Sequence, residues 1–259
     1  MIFDCFLFFN EFDMLRLRLK ELKDVVDVFV LVESSHTFSG QSKPLYFEHS
    51  AHEFKDYNIA HIKTDDLNDT NPWANEAFQR NAPMQHLKSA AKPTDIVLLC
   101  DLDEIPNSKV VSAFKDGELS PPAMLQMDFY YYNFDWIKKS RWCRSSIVYA
   151  NLLNQHSIEG IRNRQANIHN TIPNAGWHLS YFMSPEQIQD KIRSFSHQEY
   201  NRDKYLNVEG IRQAIRSGTD LFRRGRKENL VRTSDQVLPE NVRCLPPEFW
   251  PTRLRCPPR

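Results

Sequence analysis

Three apolar segments of strand length in the first 100 residues constrain the fold most. They cover residues 1–9, 25–32 and 95–100. Between the first two, apolar side chains recur at helical spacing, at Phe12, Leu15, Leu19 and Leu22. A strand, a helix and a second strand in this order form a right-handed crossover, in which the two strands run parallel. The sequence therefore predicts an α/β protein with a mostly parallel central sheet flanked by helices.

The rest of the chain predicts a larger sheet with additional helices. Asn10 offers an N-cap for the first helix, and Pro83 predicts a kink in a helix over residues 71–91. Further strands are predicted over residues 45–47, 59–63, 123–136, 145–151 and 177–183, and further helices over residues 106–115 and from Pro185 onward. These elements indicate that the sheet continues through most of the sequence.

The composition, with 41% hydrophobic and 25% charged residues, is that of a globular protein. We expect one domain over residues 1–236, whose halves, residues 1–120 and 121–236, share one continuous sheet. A proline-rich tail over residues 237–259 is expected to wrap the surface.

Scarce glycine excludes several common sites. The chain has seven glycines, and no two of them are closer than seven residues. A dinucleotide fingerprint, a P-loop and a nucleophile elbow all need closer pairs. No two histidines are four residues apart, which excludes the HExxH zinc helix. The five cysteines form no CxxC pair, so we expect reduced thiols and a cytoplasmic protein.

Charge and hydropathy bear on the partners of the protein. The formal net charge is zero, and the densest basic run, residues 223–227, has no interleaved aromatic residues. Nucleic acid is therefore not an expected partner, and this run predicts at most a weak contact with an anionic surface. The apolar runs are far shorter than the ~20 residues of a membrane helix, so no transmembrane segment is expected. The first residues are a poor signal peptide because they lack a basic region.

The clearest chemical signal is the sequence IVLLCDLDEIP at residues 96–106. In an extended chain Asp101 and Asp103 would point to the same face, at the carboxyl end of a buried strand where α/β sheets bind ligands. Paired carboxylates repel each other, and hard oxygen ligands favour Mg²⁺ or Mn²⁺. The motif therefore predicts a metal site on Asp101 and Asp103 that stabilises a diphosphate leaving group.

Two other interpretations of this motif stay open. A haloacid-dehalogenase-like phosphatase also places an Asp after an apolar strand, with Asp101 as its nucleophile. That family has Thr or Val two residues after its second Asp, where this chain has Ile105. A non-catalytic protein that binds a nucleotide or sugar is the other alternative.

Taken together, the motifs resemble glycosyltransferase family 17. The matching stretches follow the family's order over residues 3–220, at residues 10–13, 21–22, 32–34, 44–45, 101–106, 160–162, 175–178 and 184–186. The resemblance implies a GT-A-like fold whose first half binds the nucleotide-sugar and whose second half binds the acceptor. It also implies a UDP-sugar donor, a divalent metal (Mn²⁺ or Mg²⁺) on Asp101 and Asp103, and inversion at the anomeric carbon.

The other candidate site residues are spread along the chain. Asn10 and Glu11 follow the first strand and Glu33 ends the second, so all three are expected to line the same crevice as the two aspartates. Glu33 is expected to accept hydrogen bonds from uracil or ribose hydroxyls, with a solvated strand-end carboxylate as the alternative. Arg80 is expected to hold phosphate or uracil, with pairing to Glu76 as the alternative. Trp177 offers a flat face for a sugar ring, although a tryptophan in a strand is more often a core residue.

Two residues are candidates for catalysis. His178, in the AGWH stretch at residues 175–178, is expected to touch the metal or the diphosphate, or to act as a base. Glu199 is a candidate general base, with Asp190 and Glu159 as alternatives.

The sequence thus predicts a metal-dependent inverting glycosyltransferase that moves a sugar, with N-acetylglucosamine as the expected one, from a UDP-sugar to a glycan acceptor hydroxyl. Animal members of the family carry an N-terminal membrane anchor, whereas this sequence begins at the first predicted strand. Golgi residence and a glycoprotein acceptor are therefore not expected to carry over.

Overall fold

The computed structural model describes residues 1–65, 70–222, 230–233 and 237–255. The strands in these residues are β1 (Ile2–Phe8), β2 (Val28–Ser34), β3 (Ile59–Thr64), β4 (Ile96–Leu99), β5 (Glu104–Pro106), β6 (Ala123–Tyr131), β7 (Asn133–Ile137), β8 (Trp142–Tyr149), β9 (Thr171–Ile172), β10 (Gly176–Ser180) and β11 (Val231–Arg232). The α-helices are α1 (Phe12–Leu22), α2 (Tyr46–Ser50), α3 (Pro72–Asn81), α4 (Met84–Ala90), α5 (Ser108–Lys115), α6 (Ile158–Arg162), α7 (Pro185–Ser194), α8 (Asp203–Leu206), α9 (Val208–Ser217) and α10 (Thr252–Arg255).

One mixed sheet organises the molecule. Its strands follow the order β11-β7-β6-β8-β4-β1-β2-β3, with β5, β9 and β10 attached beside β6. The strands β4, β1, β2 and β3 run parallel, whereas β8 joins β4 and β6 in antiparallel fashion. The predicted α/β class and the continuous sheet are confirmed. The strand pairs within the first half are all parallel, whereas the second half combines antiparallel pairs with the parallel pairs that β9 and β10 form with β6.

Strand β1 shows why the sheet is central. Its successive side chains point to opposite faces, and both faces are covered. Ile2 and Phe6 belong to the larger core cluster with Leu15 of α1, while Phe3 and Cys5 belong to a second cluster with Leu87 of α4. Helices therefore flank both faces of the sheet and leave its strand ends open to form a site.

Several local predictions need correction. Residues 45–47 begin helix α2 rather than a strand, because the buried Glu33 carboxylate accepts hydrogen bonds from the N–H groups of Phe47 and Glu48. The N-cap position of α1 is Glu11 rather than Asn10. Pro83 divides the predicted helix over residues 71–91 into α3 and α4. The aromatic strand over residues 123–136 is interrupted at Tyr132, whose φ of 70° is left-handed.

The described part of the tail, residues 237–255, packs against the rest of the molecule, and its Leu245 is buried in the larger core cluster. Asn241 donates hydrogen bonds to Glu21 at the end of α1, and Thr252 donates to Asp135 in β7. The basic run over residues 223–227 lies outside the described residues. None of the helices in the described segments has the length and hydropathy that a membrane span requires.

Candidate active site

A cleft of about 510 Å³ opens where β1 and β4 end, at the carboxyl edge of the parallel strands. This volume lies within the range of small-molecule sites, and α/β sheets bind ligands at this edge. Its walls carry many charged side chains, among them Glu11, Glu76, Arg80, Asp101, Asp103, Glu159, Arg162 and Lys191. The two aspartates of the predicted motif therefore line a cleft of the size that a small molecule needs.

The segment 101–104 is a turn rather than the extended chain that was predicted. The Glu104 N–H donates to the Asp101 carbonyl at 3.0 Å, and the Asp101 N–H donates to the Glu104 carboxylate at 2.9 Å. This turn directs the side chains of Asp101 and Asp103 to different partners. The prediction that both carboxylates share one metal is therefore not supported by their geometry.

Asp101 is bound by two arginines. Arg80 of α3 donates to its Oδ1 at 3.2 Å, and Arg162 of α6 donates to its Oδ2. Arg80 also pairs with Glu76 at 2.6 Å and with Glu159 at 2.5 Å, so the predicted alternative pairing is present as well. Burial opposes the charge of Arg80, but the Asp101 carboxylate outweighs this and raises the pKa of Arg80. Asp101 thus anchors two cations in the cleft wall.

Asp103 lies between a histidine and a lysine. Its Oδ1 is 3.7 Å from Nε2 of His178, and its Oδ2 is 3.5 Å from Nζ of Lys191. The same ammonium is 3.5 Å from Oε1 of Glu11. Burial would lower the pKa of Lys191, but Asp103 and Glu11 outweigh it and raise that pKa. The cation of Lys191 is therefore held in the cleft by carboxylates from two different strand ends.

His178 is buried against aromatic rings. Its ring stacks on Phe129 at 4.5 Å between centroids and contacts Trp142 at 4.3 Å. Burial lowers the pKa of His178 despite the nearby Asp103, so the imidazole is neutral at pH 7. Its Nδ1 is buried without a hydrogen-bond partner among the described residues. The Nε2 atom is directed toward Asp103 and the cleft, as expected for a ligand-binding imidazole.

Gly176 explains how His178 reaches this position. A Cβ at Gly176 would lie 2.2 Å from the Ile105 carbonyl oxygen, so only glycine allows β10 to pack this closely on β5. In the resulting register His178 pairs with Glu104 on one side and with Phe129 on the other. The AGWH stretch thus positions its histidine beside the turn that carries the two aspartates.

A buried carboxylate forms the floor beneath the turn. Glu104 accepts hydrogen bonds from Arg162 at 2.7 Å, from Trp142 at 2.6 Å and from Ser145 at 2.7 Å. Burial alone would raise the pKa of Glu104, but the charge and hydrogen bonds of Arg162 lower it. Glu104 therefore stays ionised and fixes Arg162, which in turn holds Asp101.

Arg18 of α1 holds the turn from the opposite side. Its guanidinium forms a fully buried ion pair with Asp4 of β1, at 2.6 and 2.7 Å. Its Nη1 donates to the carbonyls of Asp101, Leu102 and Glu104 at 2.8–3.2 Å. The conformation of the turn is thus fixed by a charge that the first helix supplies.

The donor set fits a divalent cation only in part. Asp103 offers a carboxylate oxygen and His178 a neutral imidazole nitrogen on the same side of the cleft, and both suit Mn²⁺. The described residues contain no group of three acidic, histidine or cysteine side chains that could hold an ion alone. Mg²⁺-type sites often use one or two protein ligands together with substrate phosphates. Asp103 and His178 would hold the ion, whereas Asp101 is bound by arginines.

The predicted nucleotide-binding residues are placed less uniformly. Glu11 lines the cleft, whereas Asn10 lies beside it. Glu33 is 1% exposed, and His61 and the start of α2 use its oxygens, so the prediction that it contacts ribose or uracil is wrong. Trp177 is buried in the core and donates from Nε1 to the Val237 carbonyl at 2.8 Å, so it offers no face to a sugar.

The candidate bases also differ in position. Glu199 does not line the cleft itself, but its Oε1 is 2.7 Å from Nδ1 of His197, which does. Asp190 is exposed and pairs with Arg193. Glu159 lines the cleft, where it accepts from Arg80 and Asn163. Sequence reasoning missed Arg162, Lys191, Arg18, Trp73 and His197, of which only Arg162 lies in a family-like stretch.

The sequence and the fold can be compared with those of known proteins. The model of the family described as glycosyltransferase family 17 matches residues 1–227. The rat and human proteins named β-1,4-mannosyl-glycoprotein 4-β-N-acetylglucosaminyltransferase are each 27% identical over 81% of this chain. Only 46% of each relative is covered, so the chain spans about half the length of these proteins.

Two solved structures are similar at a low level. The 4-diphosphocytidyl-2C-methyl-D-erythritol synthase of Anaerococcus prevotii has a TM-score of 0.44 at 9% identity, over 77% of this chain and 98% of that one. Residues 1–349 of S. aureus TarS in complex with UDP have a TM-score of 0.41 at 16% identity, over 82% of this chain and 69% of that one. Both scores are too low to support an argument about fold or function.

Proposed function

This chain belongs to glycosyltransferase family 17, and we propose that it transfers a sugar, N-acetylglucosamine, from UDP to a hydroxyl group of a glycan acceptor. The donor sugar is proposed from the names of the mammalian relatives. The same membership supports the GT-A-like assignment of the fold. The cytoplasmic location stays a prediction.

One observation carries the proposal, namely the position of the Asp103–His178–Lys191 group in the cleft at the ends of β1 and β4. A UDP-sugar carries two negatively charged phosphates, and the transfer of its sugar releases UDP. Lys191, Arg80 and Arg162 supply positive charge along the walls of this cleft. Fixed cations of this kind stabilise the charge that develops on a leaving diphosphate.

A divalent cation is part of the proposal. Asp103 and His178 would hold it, and when bound it would act as a Lewis acid that stabilises the departing diphosphate. The protein's own residues have the remaining tasks of orienting the diphosphate and excluding water from the donor sugar. Burial keeps the imidazole of His178 neutral, and in the tautomer that is protonated at Nδ1 its Nε2 lone pair can bind the ion.

The base that removes the acceptor proton is proposed to be His197, with Glu199 as its positioning residue. The Glu199 carboxylate on Nδ1 fixes the tautomer, so that Nε2 can accept a proton. His197 lines the cleft and Glu199 does not. This arrangement gives the predicted Glu199 a part in catalysis through its neighbour.

The two alternative functions have less support. A phosphatase needs Asp101 as a nucleophile, but Arg80 and Arg162 bind both of its oxygens. A non-catalytic binding protein would bind UDP, but it would not cleave a UDP-sugar. The family membership favours a transferase over either of them.

The test is the release of UDP from UDP-N-acetylglucosamine, UDP-glucose and UDP-galactose, each with Mn²⁺ and with excess chelator. We expect Mn²⁺-dependent UDP release that is fastest with UDP-N-acetylglucosamine. UDP binding without release would favour the binding protein. Phosphate release from simple esters without UDP-sugar turnover would favour the phosphatase.

A further inference from the structure

Trp73 is unusual among the large aromatic side chains because it is half exposed while lining the cleft. Its relative exposure is 50%, and Phe78 of the same helix is also exposed, at 46%. Trp73 belongs to the cleft wall and Phe78 does not. Isolated exposed aromatic residues are common, so the exposure of Trp73 does not by itself indicate a binding surface. The residues around Trp73 decide whether it forms one.

Trp73 shares a helix face with the charged part of the cleft. Trp73, Glu76 and Arg80 of α3 all line the cleft, at the spacing of one helical face. Seven residues correspond to about 10 Å along a helix, so Trp73 lies well beyond the Arg80–Asp101 pair. A donor diphosphate near Asp101 would leave the Trp73 end of the cleft to another part of the substrates.

The backbone of Trp73 is fixed by the helix cap, and its indole is contacted by one neighbouring ring. The Asn71 side chain caps α3 by accepting from the Trp73 N–H at 3.0 Å, and Pro72 occupies the first turn. The ring of His197 contacts the indole in a T-shaped arrangement at 4.5 Å between centroids, and Glu199 holds His197. A preorganised aromatic surface of this kind binds a ligand with little loss of side-chain freedom.

The chemistry around this surface suits a sugar. An indole offers a broad apolar face, which matches the C–H face of a pyranose ring. Imidazole and carboxylate groups beside it, from His197 and Glu76, can bond to the hydroxyls at the ring edge. The combination of one flat apolar surface and a few polar groups is typical of small-molecule sites.

We propose that the Trp73–His197 edge of the cleft is the acceptor subsite, where a pyranose ring of the acceptor glycan stacks on the indole of Trp73. This inference rests on the proposed glycosyl transfer and adds the location of the acceptor. It predicts that Trp73 contributes to acceptor binding but not to UDP binding.

The test uses ligand-observed saturation-transfer NMR with two probes, methyl β-D-mannopyranoside and methyl N-acetyl-β-D-glucosaminide, in the presence of saturating UDP and the diamagnetic ion Mg²⁺. Three variants are compared with wild type. Trp73→Ala removes the surface, Trp73→Phe retains an aromatic ring, and Phe78→Ala is the matched control on the same helix. Both residues are half exposed, so circular dichroism is expected to show an intact fold in each variant.

We expect saturation of at least one glycoside in wild type and in Phe78→Ala, a reduced signal in Trp73→Phe, and about a tenfold weaker interaction in Trp73→Ala. Equal signals in Trp73→Ala and Phe78→Ala, no signal in wild type with either probe, or loss of the wild-type signal when UDP is added would overturn the inference. UDP affinity, measured by calorimetry, distinguishes a failure of the proposed glycosyl transfer from a failure of the acceptor subsite at Trp73. A protein that fails to bind UDP contradicts the proposed function, while the glycoside comparison still decides the role of Trp73.

Discussion

The ammonium of Lys191 lies 3.5 Å from the carboxylate of Asp103, on the side of the cleft that also carries His178. If a divalent cation bound to Asp103, the cation and the ammonium of Lys191 would repel each other, because both carry positive charge. In the proposed mechanism the lysine would therefore oppose metal binding and would favour binding of the anionic diphosphate of the donor. This relationship makes the two binding events separable by mutation.

Lys191→Met is expected to raise Mn²⁺ affinity by about fivefold, or roughly 1 kcal/mol for a partly exposed ion pair, and to weaken metal-free UDP binding. Both affinities can be measured by calorimetry without any turnover. Lys63→Met is the control, because Lys63 pairs with Glu48 on the surface. Unchanged Mn²⁺ affinity in Lys191→Met would show that the lysine does not act on this site.

Arg18→Met is expected to destabilise the protein by about 3–5 kcal/mol, because it leaves the Asp4 carboxylate buried and unpaired. Urea unfolding measures this loss. The double variant Asp4→Asn with Arg18→Met should recover part of the stability but not the activity, since the turn at residues 101–104 still lacks its donor. Arg16→Met, which removes exposed ion pairs and the contacts of the guanidinium with the rings of Phe12 and Phe54, should cost about 1 kcal/mol or less. A similar loss in both single variants would contradict the structural role of Arg18.

The strands β1, β2 and β4 and the helices α1 and α3 could be predicted because their signals are local. The period of apolar residues and the caps lie within each segment, as at Pro83 and Asn71. Helix α2 could not be predicted, because the carboxylate that bonds its first turn belongs to Glu33 in a distant strand. The same reason limits any prediction that depends on a partner far along the chain.

The candidate site was predicted in its position but not in its internal contacts. The apolar strand followed by Asp101 and Asp103 correctly indicates a cleft at a strand end. The direction of each carboxylate depends on Arg80, Arg162 and Lys191, which lie between 21 and 88 residues away in sequence. A pattern three residues long carries no information about such partners.

His178→Ala is expected to weaken UDP binding in the presence of Mn²⁺ as well as turnover, because the ground-state complex already uses Nε2 beside Asp103. A residue that acted only as the base would leave UDP affinity unchanged and reduce transfer by about 10²–10⁴-fold. Calorimetry and transfer rates for His178→Ala and Glu199→Gln distinguish the two roles. Glu199→Gln should retain UDP affinity and lose rate. Unchanged affinity and rate in His178→Ala would make the histidine a core residue.

Stability should depend on pH through the same histidine. Burial depresses the folded-state pKa of His178 below its unfolded value, so the unfolded state binds a proton first as the pH falls. The resulting loss of unfolding free energy is absent at a pH well above the unfolded-state pKa of His178, which is about 6.5. This loss grows as the pH falls toward the folded-state pKa. Wild type should therefore lose more unfolding free energy than His178→Gln between pH 7.5 and 5.5. An equal loss in the two proteins, measured by urea unfolding, would indicate that His178 is not buried in its neutral form.

The most direct test of the central claim is UDP release from UDP-N-acetylglucosamine with Mn²⁺ by wild type and by Asp103→Asn. Asn keeps the size of the side chain but removes the charge that would hold the cation, so the fold should survive. We expect Mn²⁺-dependent UDP release by wild type and a rate of release that is lower by at least about 100-fold in Asp103→Asn. The unfolding midpoint in urea should be unchanged. Full activity of Asp103→Asn, or equal release by wild type in excess chelator, would contradict the central claim.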